Sequence, residues 1–310
     1  MQRFHPTPRP NALRDKVIKD LNEKRFMPST GVRPEVRIAT ALGMDDETRQ
    51  ALERITLLAK SRKIGVPGRF MPDEGISRFL ASLGVMENVE EEDFFQFRMI
   101  VTPYGGITSR QRKDWQEAGY PLEDLTAAQV RRAQVTLGLL KMEGAQTLVI
   151  GRHEDPESLA ISGGNSGARI LQDTTDTARL VFSPSFGAVC QTTLSPRRVS
   201  WLVQQLRLRW RDAKVTFLDT VSPAMIAREE ALERLLAVCD RVVIVGETGE
   251  SSCEALVETA LRRGKPALVV DSAEALDSAE IRGGEKIALS AGAFATDEAI
   301  RAVAVALVGN

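Results

Sequence analysis

The residues best suited to acid–base chemistry lie in the segment Gly151–Glu157. Asp155 and Glu157 could form a general acid–base pair, because a cavity can raise the pKa of one carboxyl group. His153 alternates with these two carboxylates, so all three could share one face of an extended loop and bind a divalent metal ion. One histidine is few for such a site, and a solvated acidic loop interrupted by Pro156 is the alternative interpretation.

Three further side chains are suited to proton transfer or binding. Tyr104 stands beside Gly105 in a glycine-rich turn, where an aromatic hydroxyl could serve as a proton donor. Arg152 and Arg228 are the best anchors for an anionic substrate group, because a guanidinium presents a fixed fork of donors. The glycine cluster at residues 163–167 does not have the spacing of a phosphate loop, because no Lys-Ser or Lys-Thr pair follows it.

The segment Val242–Leu256 shows how the chain positions such residues. A short apolar run, typical of a buried strand, ends in a turn that contains Gly246 and Gly249. Ser251 and Ser252 then open an amphipathic helix, and a second buried strand, ALVVD, follows. Such a βαβ unit places ligands at the carboxyl end of the strand and the amino end of the helix.

The same pattern recurs along the chain and predicts an α/β protein. Strands are predicted at residues 36–42, 64–66, 97–102, 147–150, 180–183, 188–191, 215–218, 242–245, 267–271 and 286–290. Helices are predicted at residues 45–60, 76–83, 109–117, 126–142, 195–210, 222–238, 251–263 and from 296 onward. Thr126, in a capping box with Gln129, and Ser222, which precedes a proline, are predicted helix caps.

These elements group into three comparable α/β domains, at about residues 36–125, 126–219 and 220–310. An amino-terminal arm, residues 1–35, precedes them and contains five prolines around a charged, helix-like stretch at residues 12–24. A chain of 310 residues buries roughly 75% of its unfolded surface, so its core needs no disulfide or metal.

Composition and charge exclude several function classes. The 41 basic and 42 acidic residues give a net charge of -1, so we expect no nucleic-acid or membrane partner. No apolar run reaches the roughly 20 residues that span a bilayer, and the amino terminus lacks the apolar core of a secretory signal. The odd set of cysteines, Cys190, Cys239 and Cys253, suits a reducing cytoplasm. We therefore expect a cytoplasmic protein with a small-molecule ligand, and homo-oligomerisation stays open.

Several turns, taken together, resemble a known family. They are Gly151 with Asp155-Pro156-Glu157, Gln191-Thr192-Thr193-Leu194-Ser195, Asp219-Thr220 with Arg228-Glu229, Gly246 with Ser251-Ser252, and Ala291-Gly292-Ala293. Their order and spacing resemble the 4-hydroxy-3-methylbut-2-enyl diphosphate reductases, the LytB family of the non-mevalonate isoprenoid pathway. The resemblance covers about Val36 to Val308. It implies a LytB-like trefoil, in which three pseudo-symmetric α/β domains surround a central cavity.

In that family each domain contributes one cysteine to a [4Fe–4S] cluster, whose open iron binds the substrate hydroxyl and passes electrons to it. The resemblance puts these positions at Met44, Ala127 and Ser222, so all three ligands are absent. Because such clusters are held by thiolates, the resemblance implies a cluster-free relative, for which we expect no cofactor. Cys190 and Cys253 could lie near the cavity and replace the ligands, although buried inert cysteine is the usual case.

The family's proton-transfer positions are partly kept. Glu157 matches the glutamate that delivers protons in the reductases, and Asp155 stands where their His-Pro-Glu loop has its histidine. Thr192 matches the threonine that faces the substrate, with Thr193 beside it. Tyr104 replaces a second histidine of the family's site.

The family's diphosphate site has changed more strongly. Its Ser-Ser-Asn run corresponds to Glu250, Ser251 and Ser252, and its serine after Ala-Gly-Ala corresponds to Phe294. A carboxylate repels phosphate and phenylalanine donates no hydrogen bond, so we do not expect a diphosphate ligand. Ser251 and Ser252 stay candidate substrate-binding residues.

These residues are compatible with three functions. The first is a lyase or isomerase that performs non-redox acid–base chemistry (hydration, dehydration or isomerisation) on a small polar molecule. Glu157 and Tyr104 would transfer protons, while Thr192 and Ser251 orient the substrate. The second is a binding or regulatory module that kept the cavity and lost catalysis. The third, an authentic diphosphate reductase, is opposed by the missing cysteines.

Overall fold

The computed structural model describes residues 34–164, 167–276 and 281–309, which form two compact units. Unit 1 comprises the described parts of Met1–Asp45 and Ile226–Asn310, and unit 2 comprises those of Asp46–Met225. Nearly all of the predicted amino-terminal arm lies outside the described residues.

The strands and helices alternate, as in other α/β proteins. The strands are β1 (Glu35–Ile38), β2 (Ile64–Gly65), β3 (Met99–Val101), β4 (Leu122–Glu123), β5 (Gln146–Ile150), β6 (Arg169–Leu171), β7 (Ser185–Cys190), β8 (Lys214–Phe217), β9 (Arg241–Val245), β10 (Ala267–Val270) and β11 (Lys286–Ala291). The helices are α1 (Asp46–Ala59), α2 (Glu74–Ser82), α3 (Ser109–Glu117), α4 (Ala128–Met142), α5 (Pro156–Ser162), α6 (Thr174–Ala178), α7 (Pro196–Arg209), α8 (Pro223–Leu236), α9 (Ser251–Arg262) and α10 (Asp297–Gly309), with a 3-10 helix at Glu91–Gln96.

Unit 1 contains a parallel sheet with the strand order β1-β11-β9-β10. Ile300, Val303 and Leu307 of α10 pack on this sheet, and Val243 and Leu289 belong to the same core. These residues are fully buried. Burial of each side chain contributes roughly 1.5–3 kcal/mol, so the strand ends that carry the unit's turns are held rigidly.

Strand β1 joins a different group of elements from the one expected. The sequence analysis placed it in the first predicted domain, residues 36–125. The structure instead pairs it with β11, with Val36 opposite Ile287. Val36 and Ile38 point toward the same face and pack against the core of unit 1. This alternate burial explains why the strand adds to that sheet.

Unit 2 contains two parallel sheets, with the strand orders β2-β3-β4 and β6-β5-β7-β8. The first has an aromatic core, in which Phe94 and Trp115 meet edge to face at 4.9 Å. The second is built around Leu148, Phe186 and Leu206. Because every strand pair is parallel, the carboxyl ends within each sheet lie on one edge, where α/β proteins carry their ligand sites.

Most predicted elements are present within a few residues of the expected bounds, and α3 has the bounds that were predicted. The strand predicted at residues 180–183 is wrong, since no strand is assigned there. Val181 and Phe182 are 70% and 54% exposed, so their apolar character does not come from sheet burial. Phe182 instead packs beside Trp210, with 5.7 Å between the ring centroids.

No helix among the described residues combines the length and the apolar composition that a membrane-crossing helix requires.

Candidate functional site

In unit 2, turns that follow several strands come together at the carboxyl ends of those strands. The N–H of Ser222 donates to the carbonyl of Thr192 (2.9 Å). A Cβ atom added at Gly105 would lie 3.6 Å from the Cβ of Glu157, so the turn after β3 lies against α5. We refer to Tyr104, Gly105, Glu157, Thr192 and Ser222 as the Glu157 cluster. It is the kind of strand-end site where α/β proteins bind ligands.

Glu157 is 8% exposed and occupies the first turn of α5. Its Oε1 accepts the N–H of Thr192 at 2.5 Å. Asp155 is the N-cap of the same helix, and its Oδ1 accepts the N–H of Glu157 (2.9 Å). Because Asp155 performs the capping, the Glu157 carboxylate reaches a different turn. The prediction that this segment is a loop is wrong from Pro156 onward. Pro156 follows the N-cap residue Asp155 and begins a helix, a position that proline favours.

Tyr104 is 8% exposed, and its hydroxyl lies 3.1 Å from Oγ1 of Thr48, a buried residue of α1. Its N–H donates to the carbonyl of Phe70 (2.8 Å), which fixes the backbone of the turn. The following Gly105 brings this turn against Glu157. Sequence reasoning missed Thr48, because no local pattern signals a contact between residues 56 positions apart.

Gln191 is a second residue that was not selected from the sequence as a site residue, although it begins the turn after β7 that carries part of the family resemblance. It is fully buried, and its Oε1 accepts the N–H of Arg152 (3.2 Å) and the hydroxyl of Ser158 (3.0 Å). Its Nε2 donates to Oγ1 of Thr193 (3.0 Å). A Cβ at Gly151 would lie 2.2 Å from Oγ of Ser158, so only glycine permits this approach. The amide thereby ties the start of α5 to the turns after β5 and β7.

Ala127, one position at which the resemblance to the LytB family expects a cluster ligand, is the N-cap residue of α4. The helix has no side-chain cap from Ala127 itself; Glu47 instead accepts the N–H of Ala128 at 2.6 Å. The predicted Thr126 cap is therefore wrong. Thr126 precedes the N-cap residue, and its hydroxyl donates to Oγ1 of Thr102 (3.3 Å) instead of capping the helix.

Ser222, the second such position in unit 2, caps α8 as predicted. Its Oγ accepts the N–H of Met225 at 3.1 Å. Its hydroxyl oxygen thus binds a backbone N–H at the helix terminus.

Asp124 anchors the turn that leads to Ala127. Its Oδ2 lies 2.9 Å from Nε of Arg112 and 3.6 Å from Nη1 of Arg131. Its Oδ1 accepts the N–H of Thr126 (3.1 Å). Burial opposes the charged form of this carboxyl, but the hydrogen bonds from Thr126 and the two arginine charges outweigh it. The pKa of Asp124 is therefore lowered from its ordinary value.

The metal triad considered from the sequence is not assembled. Nε2 of His153 lies 2.9 Å from Oδ2 of Asp176, whereas Asp155 caps α5 and Glu157 binds the N–H of Thr192. The three side chains thus have three different partners. Across residues 34–164, 167–276 and 281–309, no group of three His, Cys, Asp or Glu side chains is arranged to hold a metal ion.

Unit 1 contains a second buried carboxylate, Glu250, which is 8% exposed. It accepts the N–H groups of Ser252 (2.9 Å) and Cys253 (3.0 Å), and the Ser252 hydroxyl also donates to it. Oγ of Ser252 accepts the N–H of Ala293 (2.7 Å) in the turn after β11. Burial raises the pKa of Glu250, although the hydrogen bonds from Ser252 and Cys253 oppose the shift. We refer to Glu250, Ser252, Cys253, Gly292 and Ala293 as the Glu250 cluster.

All three cysteines are buried. A Cβ at either Gly246 or Gly292 would lie 2.4 Å from Sγ of Cys253, so this sulfur is packed between two glycine backbones. Burial raises the pKa of Cys190 to about 12 and also raises the pKa of Cys239. Cys190 and Cys239 are therefore held as thiols, which are poor metal ligands.

Arg228 and Met44, also in unit 1, lie at the turn after β1. Nε and Nη2 of Arg228 donate to the carbonyl of Gly43 at 3.0 and 2.6 Å. Arg228 is 3% exposed, and Met44 is 5% exposed. The guanidinium therefore binds the backbone beside Met44. From the sequence, these donors were expected to bind an anionic substrate group.

The predicted site residues fall into two groups. Unit 2 brings Tyr104, Gly105, Glu157 and Thr192 together, and Gln191 joins Arg152 and Thr193 to them. Unit 1 holds Ser251, Ser252 and Arg228, of which Ser251 is the buried first residue of α9.

Comparisons with known proteins agree on one family. A family model described as LytB protein matches residues 17–308. The 4-hydroxy-3-methylbut-2-enyl diphosphate reductase of Dechloromonas aromatica is 28% identical over 201 residues, 64% of this chain and 66% of that protein. Its namesake from Pseudomonas fluorescens strain Pf0-1 is 30% identical over 205 residues, with shares of 64% and 65%. The matched part thus spans slightly less than two thirds of these relatives.

Solved structures give the fold. The E-1-hydroxy-2-methyl-but-2-enyl-4-diphosphate reductase from Plasmodium falciparum superposes with a TM-score of 0.81 at 20% identity, over 87% of this chain and 86% of that one. A second structure, described as (E)-4-hydroxy-3-methyl-but-2-enyl diphosphate reductase, gives a TM-score of 0.62 at 20% identity, over 89% and 100%. With the three parallel sheets, these likenesses confirm the predicted fold class.

Proposed function

This chain belongs to the LytB family, and from that premise we propose that it performs non-redox acid–base chemistry on a small polar molecule without an iron–sulfur cluster. The reaction class is a hydration, dehydration or isomerisation. The observation that carries the proposal is Glu157, a buried carboxylate held by the N–H of Thr192 at the carboxyl ends of parallel strands.

The residues at the three positions where the resemblance expects cluster ligands do not fit a [4Fe–4S] cluster. Met44, Ala127 and Ser222 offer a neutral thioether, no ligand atom and an alcohol, whereas such clusters are held by thiolates. The pKa of about 12 for Cys190 makes its thiolate costly to form, and Cys253 packs between glycines. No step of the proposed chemistry therefore passes through a cluster.

Glu157 is the proposed general base. The N–H of Thr192 binds one carboxylate oxygen and fixes the orientation of the group at the strand ends. Asp155 is a positioning residue in this scheme, because it fixes the backbone N–H of Glu157 by capping α5. A positioned general base contributes about 10²–10⁴-fold to a rate.

Tyr104 is the proposed proton donor. Its turn lies against Glu157 through Gly105, and Thr48 Oγ1 orients its hydroxyl. In a dehydration, Glu157 would take a proton from carbon while Tyr104 protonates the departing hydroxyl. Thr192 and Thr193 are proposed to orient the substrate in unit 2.

The test begins with a thermal-shift screen of small polar molecules, followed by incubation of each ligand in D2O. We expect the wild type to exchange a carbon-bound proton of its substrate for deuterium, as measured by NMR. Glu157→Gln should keep ligand binding and lower this exchange about 100-fold or more. Glu154→Gln, which removes the charge of an exposed neighbour, is the matched control and should leave exchange unchanged.

Two outcomes would oppose the proposal. Binding without any exchange or turnover in the wild type would favour a binding or regulatory module. Protein purified anaerobically with a brown colour and acid-labile sulfide would return the reductase activity to consideration. We expect a colourless protein in that experiment.

A further inference from the structure

The Glu250 cluster of unit 1 shows what occupies the amino terminus of α9. A helix terminus leaves backbone N–H groups without helical acceptors and carries a partial positive charge, so it attracts anions. At α9 the N–H groups of Ser252 and Cys253 are both bound by the carboxylate of Glu250 (2.9 and 3.0 Å). An anion from solution would have to displace this side chain before it could reach either donor.

The side-chain donor in the same turn is committed as well. The Ser252 hydroxyl donates to Glu250, and its oxygen accepts the N–H of Ala293 at 2.7 Å. Three donor groups of one turn are thereby bound to one internal carboxylate, and Ser252 links that turn to Ala293 in the turn after β11. Glu250 is 8% exposed, so little water competes for these hydrogen bonds.

The turn after β11 packs closely against the Glu250 carboxylate. A Cβ atom at Gly292 would lie 3.0 Å from Oε2 of Glu250 and 3.1 Å from Oγ of Ser252. Phe294, 9% exposed, follows in the same turn and donates no side-chain hydrogen bond. A phosphate at the α9 terminus would therefore meet the Glu250 side chain, and it would gain no hydrogen bond from Phe294.

We propose that Glu250 is a specificity-determining residue, a built-in hydrogen-bond acceptor that satisfies the α9 terminus and makes this turn of unit 1 reject phosphate and diphosphate groups. The inference concerns unit 1 alone and holds whether or not Glu157 acts as a base, so the two proposals fail independently.

The test uses the full chain with inorganic phosphate and pyrophosphate as probes. Glu250→Ser vacates the two backbone donors while keeping a residue that can cap the helix. We expect this variant to bind pyrophosphate with a Kd in the millimolar range or below, and the wild type to bind at least about 10-fold more weakly. Calorimetric titration would measure both. Glu247→Ser removes a charge from the same turn but leaves Glu250 in place, and should behave as the wild type.

A measurement on the wild type keeps the proposal testable if Glu250→Ser does not fold. In an amide NMR titration to about 50 mM phosphate, the signals of Ser252, Cys253 and Ala293 should not shift. Shifts of these amides in the wild type would overturn the proposal. So would a folded Glu250→Ser variant that binds pyrophosphate no better than the wild type, or an equal gain in Glu247→Ser.

Discussion

Glu157 and Glu250 are equally buried carboxylates, each 8% exposed, at the start of helices that follow parallel strands. Glu250 is itself the N-cap and binds the N–H groups of its own helix. Glu157 stands two positions after a cap that Asp155 provides, and it reaches the N–H of Thr192 in another turn. The glutamate of unit 1 therefore binds the backbone of its own helix, whereas the glutamate of unit 2 binds a different turn. The difference depends on whether the glutamate is itself the N-cap residue or follows it.

The largest predicted effect tests the close approach that holds Glu157. Gly151→Ala should destabilise the protein by about 3 kcal/mol, because its Cβ would lie 2.2 Å from Oγ of Ser158. Ser158→Ala in the same chain should recover only part of the loss, since Cβ of Ser158 is still 3.1 Å away. Urea unfolding of the single and double variants measures both terms.

Gly138 provides the matched control for that substitution. It lies inside α4 with nothing within 4 Å of an added Cβ, so Gly138→Ala should stabilise the protein by roughly 0.5–1 kcal/mol. Equal destabilisation of both variants would show that the tight contact at Gly151 is not what positions α5.

The second prediction concerns the charged anchor of unit 2. Asp124→Asn should cost about 2 kcal/mol at pH 7, because hydrogen bonds to charged groups contribute roughly 1.5–3 kcal/mol. The lowered pKa of Asp124 means that its contribution is present above the unfolded pKa and disappears as the pH falls through the folded pKa. The difference between wild type and variant should therefore be larger at pH 7 than at pH 3. A difference that grows toward acid pH would contradict this prediction.

The sequence predicted the α/β fold class because the individual strands and helices depend on short-range patterns. Apolar runs of strand length, the Asp155-Pro156 and Ser222-Pro223 starts and the helix at residues 109–117 are all local signals. The family resemblance then supplied the identity of the strand-end turns. Val181 and Phe182 misled the strand prediction because apolar character alone does not reveal whether a run is buried.

The site was less predictable because its contacts join distant residues. Nothing near Tyr104 signals Thr48, and nothing near Gln191 signals Ser158. The sequence identified Glu250 as a repulsive charge, whereas the structure adds that it caps α9. Arg228 was expected to bind an anion, yet its donors meet the carbonyl of Gly43, which only the folded chain brings near.

The third prediction tests unit 1 by pH, with the opposite sign. The raised pKa of Glu250 means that the folded state holds the proton more tightly than the unfolded state. Its contribution is therefore full below the unfolded pKa and is lost as the pH rises toward the folded pKa. Relative to the wild type, Glu250→Gln should gain stability as the pH rises above the unfolded pKa of a glutamate. Denaturant midpoints at several pH values measure this, and a gain toward acid pH would show that the N–H bonds dominate over burial.

The smallest predicted effect tests whether His153 belongs to the Glu157 cluster. Its contact with Asp176 (2.9 Å) involves a half-exposed ring, so His153→Ala should cost no more than about 0.5 kcal/mol. Because Asp155 and Glu157 bind other groups, Zn²⁺ should not raise the Tm of the wild type relative to this variant. A zinc-dependent rise that His153→Ala removes would mean that these side chains rearrange to bind metal. Glu157 would then be a metal ligand, and its contrast with the self-contained Glu250 would need a different explanation.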